Sequence, residues 1–250
     1  MDIKGKTALI TGGAHRVGKA ITLALAQAGA NVVINYHTSA AAAETTAAEV
    51  RKLGSEVLAV QADIAEHRQV QTMVDSARQK FGSVDILVNS ASLWQSTPFP
   101  MEKLDTWHRV IDILINGSFY CANAVAPLML AKGEGAIVNI VDLSAWEPWP
   151  NFMAHSVGKA ALLALSRQLA LELAPQVRVN AVAPGPVLPP PDYDDEKVAR
   201  TAQKTLLNRW GNAEDVAEAV LYFVQANYVT GEVLAVDGGE RFGHRKSEQG

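Results

Sequence analysis

Residues Thr7 to Gly18 read TALITGGAHRVG, and this stretch decides the fold. Its first part, Thr7–Thr11, is an apolar run of strand length, which Gly12 and Gly13 break. From about Arg16 to Ala28 the apolar positions return at helical spacing, and Gly29 marks the stop. Glycine lets backbone N–H groups come close to an anion, and the free N–H groups and dipole of a helix start attract phosphate. A strand turning through glycine into a helix is therefore a candidate pyrophosphate site. The spacing is Gly12, three residues, Arg16, one residue, Gly18, which is not G-x-G-x-x-G. A plain strand–helix corner would read the same way, so the rest of the chain has to decide.

The same alternation runs on to the end of the chain. Strand-like runs follow at Asn31–Tyr36, Glu56–Val60, Asp85–Val88, Ala136–Val141, Val177–Val182 and Glu232–Asp237. Helical stretches lie between them, at about Ala40–Leu53, Glu66–Phe81, Asp105–Ala131, Phe152–Ala174 and Ala213–Gln225. Continuous apolar strands separated by helices predict an α/β fold, with a parallel sheet covered on both faces. Right-handed crossovers make that sheet doubly wound. No shift in composition divides residues 1–250, so a single domain is expected. Pro184–Asp195 (PGPVLPPPDYDD) is the one linker-like piece, and it opens a substrate lid expected at about 184–210.

Composition excludes several classes. The chain has 250 residues, 48% of them hydrophobic, enough for a large core and against disorder. The net charge of −4 and pI near 5.9 argue against a nucleic-acid partner. No unbroken apolar run reaches membrane-span length, and MDIKGKTALITGG lacks the form of a signal peptide. Cys121 is the single cysteine, which fits a reducing, cytoplasmic setting. No metal is expected, because His15, His37, His67, His108, His155 and His244 fall in no zinc-ligand spacing. Gly13 to Lys19 nearly makes a nucleoside-triphosphate loop, but Ala20 stands where a magnesium-binding hydroxyl is needed.

Further motifs are spread along the chain. They are QADI (Gln61–Ile64), NSAS (Asn89–Ser92), Asn116, HSVGK (His155–Lys159), NAVAPGPV (Asn180–Val187) and VTGEVLAVDGG (Val229–Gly239). With TGGAHRVG they make the whole chain resemble the short-chain dehydrogenase/reductase family. Arg16, NYHTSA (Asn35–Ala40), NSASLWQSTPF (Asn89–Phe99) and NIVDLSA (Asn139–Ala145) are similar to the pteridine reductase-like branch. The resemblance implies a Rossmann-type seven-stranded sheet of order 3-2-1-4-5-6-7, a nicotinamide cofactor and hydride transfer involving a small molecule. It places Gly12, Arg16, Val17 and Gly18 near the pyrophosphate and Asp63 and Ile64 at the adenine. Asn89, Ala91, Lys159, Pro184, Gly185 and Val187 would lie along the cofactor. It also implies a homotetramer, or a dimer, built on the two long apolar helices.

The end of the second strand bears on the choice of cofactor. An acidic residue there binds a ribose 2′-hydroxyl. Here the residues are Tyr36, His37, Thr38 and Ser39, with no carboxylate to repel a 2′-phosphate. Arg16, His37, Thr38 and Ser39 can donate to that group, so NADP(H) is expected over NAD(H).

The catalytic positions implied by the resemblance are Asn116, Asp142, His155 and Lys159. Members of the family carry Ser, then Tyr thirteen residues on, then Lys after four more. Here the first position is Asp142 and the second His155, and histidine departs from the family pattern. Four-residue spacing sets His155 and Lys159 on one helix face. Neutral imidazole is a poor acid and imidazolium a good one; a carboxylate neighbour favours the charged form and an ammonium opposes it. Asp142 and His155 are therefore expected to act as a coupled acid pair, with Lys159 holding the ribose and Asn116 ordering a water. The alternative is a cofactor-binding protein with little turnover. Ser144 and Ser156 lie close in sequence and receive no role. For the substrate, Trp94, Trp146 and Trp149 follow the fourth and fifth strands. Trp94 lies where the similar pteridine reductases carry a stacking aromatic, and Ser92 and Arg16 match polar contacts there, so the resemblance implies a flat, pterin-like ring, or a small carbonyl compound, as substrate.

Overall fold

The computed structural model describes residues 1–190 and 193–243. Pro191 and Asp192 of the expected lid, and His244, lie outside the described residues. The strands are β1 (Thr7–Thr11), β2 (Asn31–Tyr36), β3 (Val57–Gln61), β4 (Ile86–Asn89), β5 (Gly135–Ile140), β6 (Val177–Pro184) and β7 (Val233–Val236). All pair in parallel, in the order β3-β2-β1-β4-β5-β6-β7. The order reverses between β1 and β4, where connections leave to opposite faces and a crevice opens at the strand carboxyl ends.

Alternation along each strand feeds two separate cores. Ala8, Ile10, Val32, Ile34, Ile86 and Val88 pack on one face with α1 (Arg16–Gln27), α2 (Ala40–Lys52) and α8 (Ala213–Gln225). Leu9, Val33, Leu87 and Ile137 pack on the other, with α3 (His67–Phe81) and α5 (Ser118–Lys132). Strands buried on both sides explain why the sequence reads as continuous apolar runs rather than alternating ones.

The stretch expected as one helix from Asp105 is interrupted. α4 (Asp105–Ile111) passes into a π-helical segment at Asp112–Gly117 before α5 begins. Gly117 sits tight against Ile64: a Cβ there would lie 2.8 Å from Ile64 Cδ1. The wider turn includes Asn116, and such insertions recur at functional sites. By length and composition Asp105–Lys132 could also cross a membrane, but half of its apolar window is buried inside the protein, as in a core helix.

α6 (Met153–Leu173) and α7 (Asp195–Lys204) complete the helices used below. α7 lies within the span expected as a lid. It has no buried residue, and Asp194 caps its first turn by accepting from the Lys197 N–H at 2.7 Å.

The β1–α1 corner is the tightest contact near the crevice. A Cβ on Gly18 would stand 2.2 Å from the Gly12 carbonyl oxygen. Gly18→Ala therefore has to pry the helix from the strand. Urea unfolding is expected to show a loss of at least about 2 kcal/mol. A variant within about 0.5 kcal/mol of the parent would contradict this packing.

Candidate active site

A cleft of about 650 Å³ runs along the carboxyl ends of the central strands. That is ample for a nucleotide-sized ligand. Its floor is the β1–α1 turn. Gly12 has a left-handed backbone (φ +62°), and a Cβ there would press within 3.0 Å of Ala91. The first turn of α1 has no side-chain cap and no acidic residue, which leaves an anion-attracting helix start facing the cleft. Arg16 also has positive φ, +53°, a conformation that costs a non-glycine residue about 1–3 kcal/mol. Its guanidinium donates to the Leu188 carbonyl at 3.1 Å, joining the turn to the loop after β6. The glycine cradle and this helix start fit a dinucleotide pyrophosphate.

At one end the cleft is lined by Asn35, Tyr36, His37, Thr38, Ser39, and Asp63 with its neighbours. Asp63 is not a bare carboxylate. Arg109, on α4, lies 2.8 Å from its Oδ2, His37 lies 3.7 Å from the same oxygen, and the Ala65 N–H donates to Oδ1 at 3.0 Å. Burial pushes this carboxyl up, but the Arg109 hydrogen bond, the Ala65 N–H and the charges of Arg109 and His37 outweigh it and hold the group below its ordinary value. The nearest negative charge in this part of the cleft is thus offset. Arg109 lines the cleft and was not evident from sequence, since it stands far along the chain from Asp63.

At the other end the loops after β4 and β5 meet the start of α6. His155 is 2% exposed. Its Nε2 lies 2.6 Å from Asp142 Oδ2, and its Nδ1 3.4 Å from the Leu93 carbonyl oxygen. The 2.6 Å contact needs a proton between nitrogen and oxygen. The carbonyl can only accept, so Nδ1 is also better served by carrying hydrogen. Meeting both needs places one proton on Nδ1 and a second shared between Nε2 and the carboxylate. Asp142 is the N-cap of a 3-10 turn, Leu143–Ala145, and its Oδ1 accepts from the Ser144 N–H at 3.0 Å and the Ser144 hydroxyl at 2.5 Å. Burial favours the neutral acid. The His155 hydrogen bond, the charges of Lys159 and His155 and the Ser144 bond together hold Asp142 below the ordinary carboxylate value.

Lys159 is one turn further along α6 and lines the cleft, with its ammonium donating to the Ile140 carbonyl at 2.7 Å. Burial pulls its pKa below the ordinary lysine value, and Asp142 opposes that shift. Aromatic rings cover the pair. Trp94 stacks on Phe152 at 4.1 Å and meets His155 edge-on at 4.9 Å, while Trp149 lies nearly parallel to His155 at 6.0 Å. The cover is tied down by backbone: Thr97 pairs with Phe152, and its hydroxyl accepts from the Ala154 N–H at 3.0 Å.

The cleft brings together Gly12, Arg16, Val17, Gly18, His37, Thr38, Ser39, Asp63, Ile64, Ala91, Ser92, Trp94 and Lys159. Other residues singled out in the sequence stand elsewhere. Asn89 is buried in the sheet, donating to Asn139 at 2.8 Å, so it ties β4 to β5 rather than lining the cleft. Asn116 donates to Asp112 at 2.7 Å within the π-turn. Trp146 is exposed beyond the cleft wall, and Trp149 backs His155. Pro184 ends β6, and the N–H of Gly185, which follows it, donates to the Val236 carbonyl at 3.0 Å. Val187 is buried against a separate cavity of about 320 Å³ with Arg209 and Asp215. Asp142 and His155 stand behind the wall formed by Lys159, Leu93 and Trp94. Among the described residues there is no cluster able to hold a metal ion.

The family model described as enoyl-(acyl carrier protein) reductase matches residues 12–240. The 3beta-hydroxysteroid dehydrogenase 1 of Eggerthella lenta is 36% identical over 246 residues, covering 95% of this chain and 94% of that protein. A 3-oxoacyl-[acyl-carrier-protein] reductase of Synechocystis is 36% identical over 242 residues, covering 95% and 97%. Among solved structures, FolM alternative dihydrofolate reductase 1 from Brucella canis, complexed with NADP, superposes with a TM-score of 0.89 at 33% identity, over 97% of this chain and 96% of that one. Matched over nearly its whole length, and with its cleft at the switch point of the same kind of sheet, the chain belongs to the short-chain dehydrogenase/reductase family of oxidoreductases.

Proposed function

We propose that this protein is an NADPH-dependent reductase in which Asp142 and His155 donate the proton, and whose substrate is a small flat heteroaromatic ring of pterin type or a small carbonyl compound. The observation that carries the reading is the 2.6 Å contact between two buried groups directly behind the cleft wall. The relatives are reductases and dehydrogenases, which weighs for turnover over a cofactor binder without it.

A reduced nicotinamide, when bound, supplies the hydride. The residues of this chain supply the rest. Lys159 keeps two N–H donors beyond its bond to Ile140, and these would hold the nicotinamide ribose. Asn116 has a free carbonyl oxygen to order a water, because only its amide nitrogen is engaged by Asp112. The Asp142 side chain is 15% exposed and that of His155 only 3%. Asp142 is therefore the member nearer the surface, through which the proton would leave, and His155 is the reservoir behind it. As hydride reaches a carbon of the substrate, the proton shared between His155 Nε2 and Asp142 Oδ2 passes by way of Asp142 to the neighbouring nitrogen or oxygen, leaving a carboxylate beside a neutral imidazole. The pair is left with one proton fewer, to be restored from solvent.

Selectivity for NADP(H) rests on the end of β2. His37, Thr38 and Ser39 line the cleft there, Arg16 stands close by along the cleft, and Arg109 offsets Asp63. The likeness to an NADP-complexed reductase supports the same choice. Trp94 is 49% exposed, with one face on Phe152, and with Ser92 and Arg16 it forms the polar and aromatic rim that suits a flat ring. In the same reading the stretch 184–210 acts as a lid, Arg16 being its first anchor through Leu188. The exposed apolar residues Phe119, Val157 and Met153 fit subunit contacts in a homotetramer or dimer. Cys121 is buried, with its thiol pushed up to about 12, so it stays unreactive.

Three measurements test the reading. In fluorescence titrations NADPH is expected to bind at least about tenfold tighter than NADH; equal or reversed affinities would contradict the role given to the end of β2. With NADPH and dihydrobiopterin, the sign of the pH dependence follows from the proton being delivered. Reduction is full while the pair holds its proton and falls as pH rises through the apparent pKa of the pair. Asp142→Asn is expected to lower kcat by about 10²–10⁴. A rate flat from about pH 5 to about pH 9, with chemistry shown to limit it, would exclude the pair as acid.

A further inference from the structure

We propose that Ser144 is the positioning residue of the proton-donating pair: its hydroxyl holds Asp142 toward His155 and sets the pH at which the shared proton leaves. The proposal rests on the reading of Asp142 and His155 as the acid. It concerns a residue two positions beyond Asp142 that touches neither the cleft nor the imidazole.

The geometry divides the carboxylate between two partners. Oδ1 takes both donors of Ser144, the N–H at 3.0 Å and the hydroxyl at 2.5 Å. Oδ2 takes His155 Nε2 at 2.6 Å. With one oxygen pinned from each side, the plane of the carboxyl group is fixed and Oδ2 cannot rotate away from the imidazole. Ser144 is only 2% exposed, so water does not readily take over its hydroxyl's role. The main-chain part of the grip comes with the 3-10 turn that Asp142 caps and would survive any substitution; the hydroxyl is what the side chain adds.

The hydroxyl also acts on the proton. A donor on a carboxylate stabilises its charged form and weakens it as a proton acceptor. The other charges acting on Asp142 are those of Lys159 and His155, both on α6. The loop after β4 presents the neutral Leu93 carbonyl and Trp94 ring to His155, and the loop after β5 the neutral Trp149 ring. Against that fixed background, deleting the hydroxyl makes Asp142 more basic. The pair then keeps its last proton to higher pH and is a weaker acid at neutral pH.

The test follows the imidazole itself, so it does not depend on having the right substrate. The six histidines are labelled with ¹⁵N, and the His155 signals are identified by their loss in His155→Gln. In Ser144→Ala the titration midpoint of the His155 signals is expected to rise by about one unit, the effect of losing one charge-assisted hydrogen bond. Ser144→Thr keeps a hydroxyl and is expected to restore the parental midpoint. NADPH binding by both variants, measured by fluorescence, is expected to match the parent, which also reports that the fold is kept. If Ser144→Ala titrates like the parent, or Ser144→Thr shifts as far as Ser144→Ala does, the proposal is overturned. Failure of the underlying reading looks different: the His155 signals would then be indifferent to Asp142→Asn as well. If Ser144→Ala does not fold, Ser144→Cys, a weak donor of similar size, takes its place with the same expected direction.

Discussion

Two acceptors held 2.6 Å apart away from water must share a proton, and the arrangement of this end of the molecule follows from that constraint. Neither His155 nor Asp142 could be buried alone without a large desolvation cost; removing one partner of such a pair typically costs about 3–5 kcal/mol because the other is left uncompensated. Buried together, with Ser144 on the far oxygen and the Leu93 carbonyl at the far nitrogen, each polar atom has a partner. A group so enclosed does not exchange its proton freely. That makes it a structural tie between β5 and α6, and the acid in the function proposed above.

The rest of the scaffold serves to hold that enclosure beside a dinucleotide site. β5 ends at Ile140, whose carbonyl anchors Lys159, and two residues later Asp142 caps the 3-10 turn. The first turns of α6 then bring His155 and Lys159 to the same side. The aromatic cover is locked through Thr97 to the start of α6, so Trp94 belongs at once to the cleft wall and to the roof over the imidazole. At the opposite end, the pairing of Arg109 with Asp63 offsets the carboxylate's charge within the cleft.

Much of the fold could be read from the chain because its strands are buried on both faces. Runs such as AIVNIV and VRVNAV announce themselves without any partner, and the strand order followed from the family resemblance. The Gly12–Gly18 turn was legible because glycine is the residue that a close approach demands. The limits fell where a contact spans distant sequence. Nothing near Asp63 signals Arg109, and nothing near His155 signals the Leu93 carbonyl. Asn89 carries a family motif yet spends its amide inside the sheet, a use that only the register between β4 and β5 reveals. The π-turn at Asp112–Gly117 was missed because its residues have ordinary helical composition; close packing of Gly117 on Ile64 marks it. Ser144 was within reach, since Asp-x-Ser is a local capping pattern, but the pattern alone does not say that the Asp is also held by a histidine thirteen residues on.

The shared proton can be observed directly. A proton held between imidazole and carboxylate at this distance gives an exchangeable ¹H resonance far downfield of the amide region. In the full-length protein the account predicts one such signal, protected from solvent exchange, correlated with a His155 ring nitrogen, and abolished by Asp142→Asn. A spectrum in which the His155 ring protons exchange freely and show no such signal at any pH where the fold is intact would contradict it.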